Sequence, residues 1–279
     1  MSTKARGTSN SRRLSNLAAK EAVPFRHLAT AFLIERLVWR LTMEPKLTGK
    51  LVFKGGFVGL RVYDSSRYTI DLDALLRQAN INSTLKIVQA AAEKDIDDGA
   101  WFCFDHQADL ETQGEYGGVR QTYRAGFGEV PERIGRVQTI NFDLGIGDPV
   151  DPVLAKTSSI LTGEELIWMI YPIEAIIAEK LHALIERGSL NSRSKDVFDL
   201  SFFLPTAHPQ SLRQSVIKCF EHRHTELPKS LSENLRAIDT SILSRGWASA
   251  VASVKNAPDF DAAFSDLVLL LKRFDESSA

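Results

Sequence analysis

Two short motifs, a glycine pair and a pair of aspartates, constrain the fold of the first half of this chain more than any other feature. The apolar run Leu51-Val52-Phe53 ends at Lys54-Gly55-Gly56, which predicts a buried strand followed by a turn and a short helix. After fourteen further residues, Asp71-Leu72-Asp73 lies in an alternating segment, 69–75, that predicts a second strand. Because side chains alternate along a strand, Asp71 and Asp73 project from the same face.

The two carboxylates are spaced for a bound cation. Carboxylates ~7 Å apart along a strand repel each other unless a cation lies between them. Oxygen ligands of this kind suit Mg²⁺, which completes its octahedron with water and substrate phosphate, and two such ions can flank an in-line phosphoryl displacement. Gly55 and Gly56, at the start of a helix, let backbone N–H groups approach a phosphate. The alternative interpretation is a tight turn followed by a solvated acidic strand edge.

A third carboxylate is a candidate for the same site. Residues 137–145 predict another strand, in which Thr139, Asn141 and Asp143 point to the polar side. If this strand pairs beside the strand of Asp71, Asp143 points into the site as well.

A lysine interrupts the apolar stripe of a later helix. Residues 171–187 predict this helix, and Lys180 falls within its apolar face. A buried ammonium group needs an anionic partner or ligand. Two interpretations remain open: a lysine that extends to solvent or pairs with a structural acid, and a lysine that binds phosphate. Asp196, in the first turn of the next predicted helix, is either a simple helix N-terminal acid or the group that orients Lys180 by a charged hydrogen bond.

Composition limits the class of protein. Hydrophobic residues make up 44% and charged residues 25% of the 279 residues, and the formal net charge is −1. These values are typical of a globular domain and exclude an overall basic coat for nucleic acid. No apolar run approaches the ~20 residues of a membrane span. Cys103 and Cys219 lie far apart, which favours a reducing, cytoplasmic location.

The prolines in residues 147–152 mark the best domain boundary. We predict a basic, flexible arm over 1–24, an α/β domain over 25–150 and a helical domain over 151–279. The alternative for the arm is a segment that contacts nucleic acid or a partner.

Within the α/β domain, the first predicted helix, 25–41, has Arg36 and Arg40 facing solvent. Residues 101–106 and 119–127 predict antiparallel strands around a turn at 113–118. A helix capped by Asn82-Ser83 is predicted to run to about residue 96.

In combination, these motifs resemble the AbiEii family of nucleotidyltransferase toxins, which belong to AbiE-type abortive-infection (type IV toxin–antitoxin) systems. The resemblance covers residues 30–205, and its order and spacing are more specific than any one motif. The matching segments are Phe32-Leu33-Ile34-Glu35-Arg36-Leu37-Val38-Trp39-Arg40-Leu41, Phe53-Lys54-Gly55-Gly56, Arg67-Tyr68-Thr69-Ile70-Asp71-Leu72-Asp73, Ala178-Glu179-Lys180-Leu181-His182-Ala183-Leu184 and Lys195-Asp196-Val197-Phe198-Asp199-Leu200.

The resemblance implies an α+β fold, with a mixed sheet of the DNA-polymerase-β-like kind flanked by helices and followed by a mainly helical domain. It implies that Asp71, Asp73 and Asp143 hold metal and that these three act in catalysis with Lys180 and Asp196. The nucleotide would be bound by Lys54, Gly55, Gly56 and Arg67. Arg61 is a further candidate for phosphate contact, and His182 is expected to be structural. Gly56 replaces the serine of the wider superfamily, so a hydroxyl contact to phosphate is absent there.

The resemblance also implies an activity, the Mg²⁺-dependent (or Mn²⁺-dependent) transfer of a nucleotide from an NTP to an acceptor. The acceptor expected first is the 3′ end of tRNA, and this modification would inhibit translation and growth. The expected partners are an NTP, tRNA and an AbiEi-like antitoxin, with the chain itself a monomer. The alternatives are a protein nucleotidyltransferase, a kinase-like phosphotransferase on the same fold, and a non-catalytic module that binds RNA or the antitoxin.

Overall fold

A computed structural model describes residues 2–110, 117–135 and 137–277. The chain divides into two compact units. The first comprises Met1–Val62, Tyr68–Gly147 and Pro152–Ile170, and the second comprises Tyr63–Arg67, Asp148–Asp151 and Tyr171–Ala279. In the ranges that the structure describes, no helix has the length and apolar character needed to span a membrane.

A seven-stranded mixed sheet forms the centre of the first unit. Its strands are β1 (Leu51–Lys54), β2 (Asp71–Leu76), β3 (Ala100–Asp109), β4 (Gly118–Phe127), β5 (Gln138–Ile146), β6 (Val153–Ser158) and β7 (Glu165–Ile170). The spatial order is β3-β4-β5-β2-β1-β7-β6. The pairs β2–β5 and β1–β7 are parallel, and the other neighbours are antiparallel. The predicted α+β class is confirmed.

Helices accompany the sheet in this unit and make up most of the second one. Those of the first unit are α1 (Thr3–Glu21), α2 (Phe25–Met43), α3 (Gly55–Val62) and α4 (Ile81–Glu93). Those of the second are α5 (Ile173–Arg187), α6 (Ser194–Phe203), α7 (Pro209–His222), α8 (Leu231–Arg236), α9 (Ser241–Ala250) and α10 (Phe260–Ser277).

The N-terminal segment is a helix and not the flexible arm that we predicted. Ser2 caps α1, and its side chain accepts a hydrogen bond from the N–H of Ala5. Leu14 and Ala18 are buried in a cluster with Leu28 and Phe32. Burial of this apolar stripe holds the segment in place, despite its abundance of serine and of positive charge.

The predicted solvent-facing arginines of α2 are buried, and that prediction was wrong. Arg36 and Arg40 are each 3% exposed. Arg36 forms an ion pair with Glu35 at 2.9 Å, and Arg40 donates two hydrogen bonds to the Asp98 carboxylate, at 2.6 and 2.9 Å. Periodicity alone places a charged residue on the surface, but a matched carboxylate, on the same helix for Arg36 and on a distant segment for Arg40, makes burial tolerable.

Two strands lie where helices were expected after residue 150. β6 and β7 complete one edge of the sheet, so the sheet unit extends to Ile170 and not to 150. In β7 the buried residues Leu166, Trp168 and Ile170 alternate with more exposed ones, a period of two that predicts a strand.

The strands expected at 101–106 and 119–127 are present as the antiparallel pair β3–β4. Of the turn predicted at 113–118, residues 113–116 lie outside the described residues. The cap of α4 is Asn80, two residues before the expected Asn82, and its side chain accepts from the N–H of Ser83.

Candidate functional site

The two aspartates of β2 lie on the polar face of the sheet. Between and after them, Leu72 and Ala74 are 0% exposed and belong to the core. The alternation of β2 therefore turns Asp71 and Asp73 together to the opposite face. The side chain of Asp71 retains 23% exposure.

Sheet register places four charged residues in one row across four strands. Asp73 lies opposite Lys54 of β1 on one side and Asp143 of β5 on the other. Asp143 in turn lies opposite Arg120 of β4. Residues directly opposite each other in a sheet share a face. Along this row, from β1 to β4, the side chains are therefore positive, negative, negative and positive. The pairing that we expected between the strands of Asp71 and Asp143 is present.

A second row, beside the first, is joined by hydrogen bonds. Asp71 lies opposite Asn141, and Asn141 lies opposite Thr122. The Asn141 amide donates to Asp71 Oδ1 at 2.9 Å, and the Thr122 hydroxyl donates to Asn141 Oδ1 at 3.1 Å. This chain of hydrogen bonds orients the Asp71 carboxylate from the side of β5.

Arg120 binds both oxygens of Asp143. Its Nε and Nη2 donate to Oδ1 and Oδ2 at 2.7 and 2.6 Å, and Nη2 lies 4.0 Å from Asp71 Oδ1. The hydrogen bond to Asp143 is the main cause that raises the pKa of Arg120, and the charges of Asp143, Asp71 and Asp73 act in the same direction. The sequence did not single out this arginine, because only the register of β4 against β5 brings it to the site.

Gly55 begins α3 against the carboxylate of Asp73. Its φ is +73°, in the left-handed region that favours glycine. A Cβ at this position would lie 2.1 Å from Asp73 Oδ2 and 2.8 Å from Asp73 Cγ. Two features therefore require glycine at position 55, the backbone conformation and the close approach of Asp73. Gly56 follows as the second residue of α3.

These residues fit a divalent cation through two carboxylates. Mg²⁺ in proteins is commonly held by one or two carboxylates, with water and substrate phosphate as its other ligands. Asp71 and Asp73 provide such a pair on one strand face. Among the described residues, no group of three or more His, Cys, Asp or Glu side chains is arranged to hold a metal. The predicted set of three, with Asp143, is not assembled in this way, and the carboxylate of Asp143 is bound by Arg120 instead.

The other end of α3 is held by a buried carboxylate. Glu35 of α2, with its side chain 1% exposed, pairs with Arg61 at 3.0 Å and accepts from Ser159 Oγ at 2.7 Å and from the N–H of Ile160 at 2.9 Å. Arg61, our further candidate for phosphate contact, thus makes an ion pair that ties α3 to α2 and to the β6–β7 turn.

In the second unit, Lys180 is paired with two buried aspartates. Its ammonium group lies 2.6 Å from Asp196 Oδ1 and 2.8 Å from Asp199 Oδ2. The side chains of Asp196 and Asp199 are 1% and 2% exposed. Burial by itself would lower the pKa of Lys180, but the two carboxylates outweigh it and raise that pKa above its usual value. The hydrogen bond that we expected between Lys180 and Asp196 is present.

Asp199 joins Lys180 to Arg67. Arg67 donates from Nε and Nη2 to the two oxygens of Asp199, both at 2.8 Å. Burial would raise the pKa of Asp199, yet Lys180 and Arg67 outweigh it and lower that pKa. We had assigned no role to Asp199, although Asp196 and Asp199 are three residues apart and so lie on one face of α6. Arg67, a predicted nucleotide ligand, binds this carboxylate through its guanidinium group.

His182 lies elsewhere on α5 and is buried, as a structural residue would be. It is 1% exposed, its Nε2 lies 3.0 Å from the Thr225 hydroxyl, and Arg223 Nη1 lies 3.3 Å from its Nδ1. Burial is the main cause that lowers the pKa of His182 to about 4, and the charge of Arg223 adds to it.

Comparison with solved structures finds chains that are similar to this one over most of its length. A candidate nucleotidyltransferase from Helicobacter pylori has a TM-score of 0.50 and 17% identity, with 91% of this chain and 97% of that chain covered. JHP933, also from H. pylori, has a TM-score of 0.49 and 16% identity, with coverage of 91% and 94%. An antigenic nucleotidyltransferase-like protein from Paracoccidioides brasiliensis has a TM-score of 0.43 and 16% identity, with coverage of 77% and 96%. A comparison with curated protein sequences finds no match.

A family model assigns most of the chain to one family. The model, described as "Nucleotidyl transferase AbiEii toxin, Type IV TA system", matches residues 36–266. That range contains the glycine pair, the aspartates of β2 and the Lys180 cluster. The chain is therefore a nucleotidyltransferase that belongs to the AbiEii toxin family of type IV toxin–antitoxin systems.

Proposed function

We propose that this toxin transfers a nucleoside monophosphate from an NTP to the 3′ end of tRNA in a Mg²⁺-dependent reaction, and that a cognate antitoxin restrains it. The observation that carries the proposal is the arrangement around β2. Asp71 and Asp73 share one face of the strand, and Gly55 brings the start of α3 against the Asp73 carboxylate. Paired carboxylates beside a glycine at a helix start suit a metal-bound polyphosphate.

The reaction is an in-line displacement at the α-phosphorus. The acceptor hydroxyl oxygen forms a bond to that phosphorus, the bond from the α-phosphorus to the bridging oxygen breaks, and pyrophosphate leaves. Asp71 and Asp73 would hold the divalent cation, which would supply neutralisation of phosphate charge and activation of the acceptor hydroxyl. The backbone N–H groups at the start of α3 bind phosphate oxygens. The hydroxyl proton passes to a base, and Asp143 is the candidate once Arg120 no longer occupies its two oxygens.

The Lys180 cluster is proposed to be required for transfer as well, on the basis of the family resemblance. Its chemistry supports an ammonium group that stays charged, because Asp196 and Asp199 raise the pKa of Lys180. An ammonium held in this way can neutralise charge on a phosphate.

The proposal is tested by incubating the purified protein with total tRNA, Mg²⁺ and each of the four NTPs in turn. Each NTP is supplied in two forms, labelled on the α- or on the γ-phosphate. We expect the α-label to appear in tRNA and mass spectrometry to find added nucleotides at the 3′ end. EDTA should abolish the transfer.

The same assay decides between the alternatives. Transfer of the γ-label would identify a phosphotransferase, and α-label in protein but not in tRNA would identify a protein nucleotidyltransferase. No transfer to either acceptor, with growth inhibition kept in Asp73→Ala, would identify a non-catalytic binding module.

A further inference from the structure

We propose that Arg120 is a built-in counter-cation of the carboxylate site, which holds Asp143 and competes with the divalent cation for it. The inference rests on the proposed function, because it concerns the metal site that Asp71 and Asp73 form there. Arg120 is not a metal ligand in this proposal, and it acts through its charge and its hydrogen bonds.

The geometry of the ion pair carries the inference. Two donors of one guanidinium reach the two oxygens of one carboxylate at 2.7 and 2.6 Å, which is the bidentate arrangement that arginine and carboxylate favour. The same guanidinium lies 4.0 Å from the nearer oxygen of Asp71. The side chain of Asp143 is 14% exposed, so its charge is partly shielded from water.

The charge balance of the face explains why a cation is needed there. Asp71, Asp73 and Asp143 contribute three negative charges on neighbouring strands, and carboxylates this close raise each other's energy unless a cation lies among them. Arg120 provides such a charge from the β4 side, beside Asp143, and Lys54 stands at the other end of the row, beside Asp73. A divalent cation that recruited Asp143 as a ligand would have to displace the two hydrogen bonds of Arg120, and this displacement weakens metal binding.

Arg124 provides a matched control on the same strand. It lies four residues after Arg120, on the same face of β4, and pairs with Asp105 at 3.0 Å. Its side chain is 41% exposed, against 37% for Arg120. Four residues of strand place it about 13 Å along β4, beyond the screening length of about 8–10 Å at physiological salt. Arg124→Gln therefore removes the same charge without changing the site.

The test is a titration of the full-length protein with Mn²⁺ in the absence of nucleotide, followed by the loss of the free-Mn²⁺ signal in electron paramagnetic resonance. We expect Arg120→Gln to bind Mn²⁺ about ten-fold more tightly than Arg124→Gln, because a nearby positive charge is removed from a divalent site. Arg120→Lys keeps the charge but not the bidentate pair, so its affinity should lie between those of Arg120→Gln and the unmodified protein. Circular dichroism of each variant confirms that the proteins compared are folded.

Two outcomes separate this inference from the proposed function. If Asp73→Asn abolishes Mn²⁺ binding but Arg120→Gln and Arg124→Gln bind equally, the metal site stands and the role of Arg120 is wrong. Weaker binding by Arg120→Gln would also overturn it, because Arg120 would then be positioning a ligand. If no variant binds Mn²⁺, or if Asp73→Asn binds as well as the unmodified protein, the metal site of the proposed function fails and the inference fails with it.

Discussion

A methyl group added at Gly55 should disable the site while leaving the fold nearly intact. Gly55→Ala introduces a Cβ 2.1 Å from Asp73 Oδ2, whereas ordinary van der Waals contact begins at 3.4 Å. The carboxylate must therefore shift by about 1.3 Å, the difference between these two distances. A displacement of about 1 Å at a reacting centre can reduce the rate of an enzyme by about 100-fold, and we expect a loss of that size here.

The structure provides a control for the backbone cost of this substitution. Gly49 has a φ of +72°, nearly the same as the +73° of Gly55, but a Cβ there meets nothing within 4 Å. Both substitutions should lower the free energy of unfolding by about 1–2 kcal/mol, the cost of the left-handed conformation for a residue with a Cβ. The contact with Asp73 adds to this cost at Gly55, because Asp73 Cγ and Cβ, at 2.8 and 3.1 Å from the new Cβ, are crowded as well as the carboxylate oxygen.

The assay combines denaturant unfolding with the initial rate of transfer of α-labelled nucleotide. Gly49→Ala should retain the rate of the unmodified protein, and Gly55→Ala should lose it under conditions in which the unfolding curves show both variants to be folded. If the transfer rate of Gly55→Ala lies within two-fold of that of Gly49→Ala, the position of Asp73 against Gly55 is not important for catalysis.

Three further predictions concern stability. Leu14→Ala should lower the free energy of unfolding by about 3 kcal/mol, because Leu14 is fully buried between α1 and α2. The control, Ser15→Ala at an exposed position of the same helix, should change it by less than about 0.5 kcal/mol. Equal effects of the two substitutions would mean that α1 is not packed. Lys180→Met should lower the free energy of unfolding, measured with denaturant, by about 3–5 kcal/mol, because Asp196 and Asp199 stay buried with one cation fewer. The control, Lys218→Met at an exposed position, should change it little. An unchanged stability of Lys180→Met would contradict a structural role of the Lys180 ion pairs. The pKa of His182 is about 4 in the folded protein and 6.5 when unperturbed, so the unfolded chain binds the extra proton. Stability should therefore fall by about 2–3 kcal/mol as the pH drops from 6.5 to 4. In His182→Gln this part of the pH dependence should be missing from the unfolding curves, and a variant with the same slope would refute the assignment.

Local patterns in the sequence were enough to predict the face of β2 and the helix that carries Lys180. The alternation around Leu72 places Asp71 and Asp73 together without knowledge of any other strand. The spacing of Asp196 from Asp199 also contains the signal for a shared partner, although we did not use it. Such features depend on residues a few positions apart, and strand and helix geometry fix them.

Features set by long-range pairing could not be predicted in this way. Arg120 faces Asp143 only because β4 and β5 pair in one of several registers, and a shift by one residue would turn it to the other face. Arg40 is buried because Asp98, which is distant in the sequence, lies within reach, and Glu35, the partner of Arg36, is itself held by the distant residues Ser159 and Ile160. Residues 153–158, β6, are a mostly exposed edge strand, so their pattern of burial has little alternation to detect.

The central claim, that the β2 aspartates form the catalytic centre, is tested most directly by Asp73→Asn. This variant and the control Asp105→Asn, which changes an aspartate of β3 that pairs with Arg124, are compared in a single-turnover reaction with α-labelled NTP and tRNA. We predict that Asp73→Asn forms no labelled tRNA while Asp105→Asn reacts at the rate of the unmodified protein. Labelled tRNA formed by folded Asp73→Asn at an undiminished rate would contradict the account.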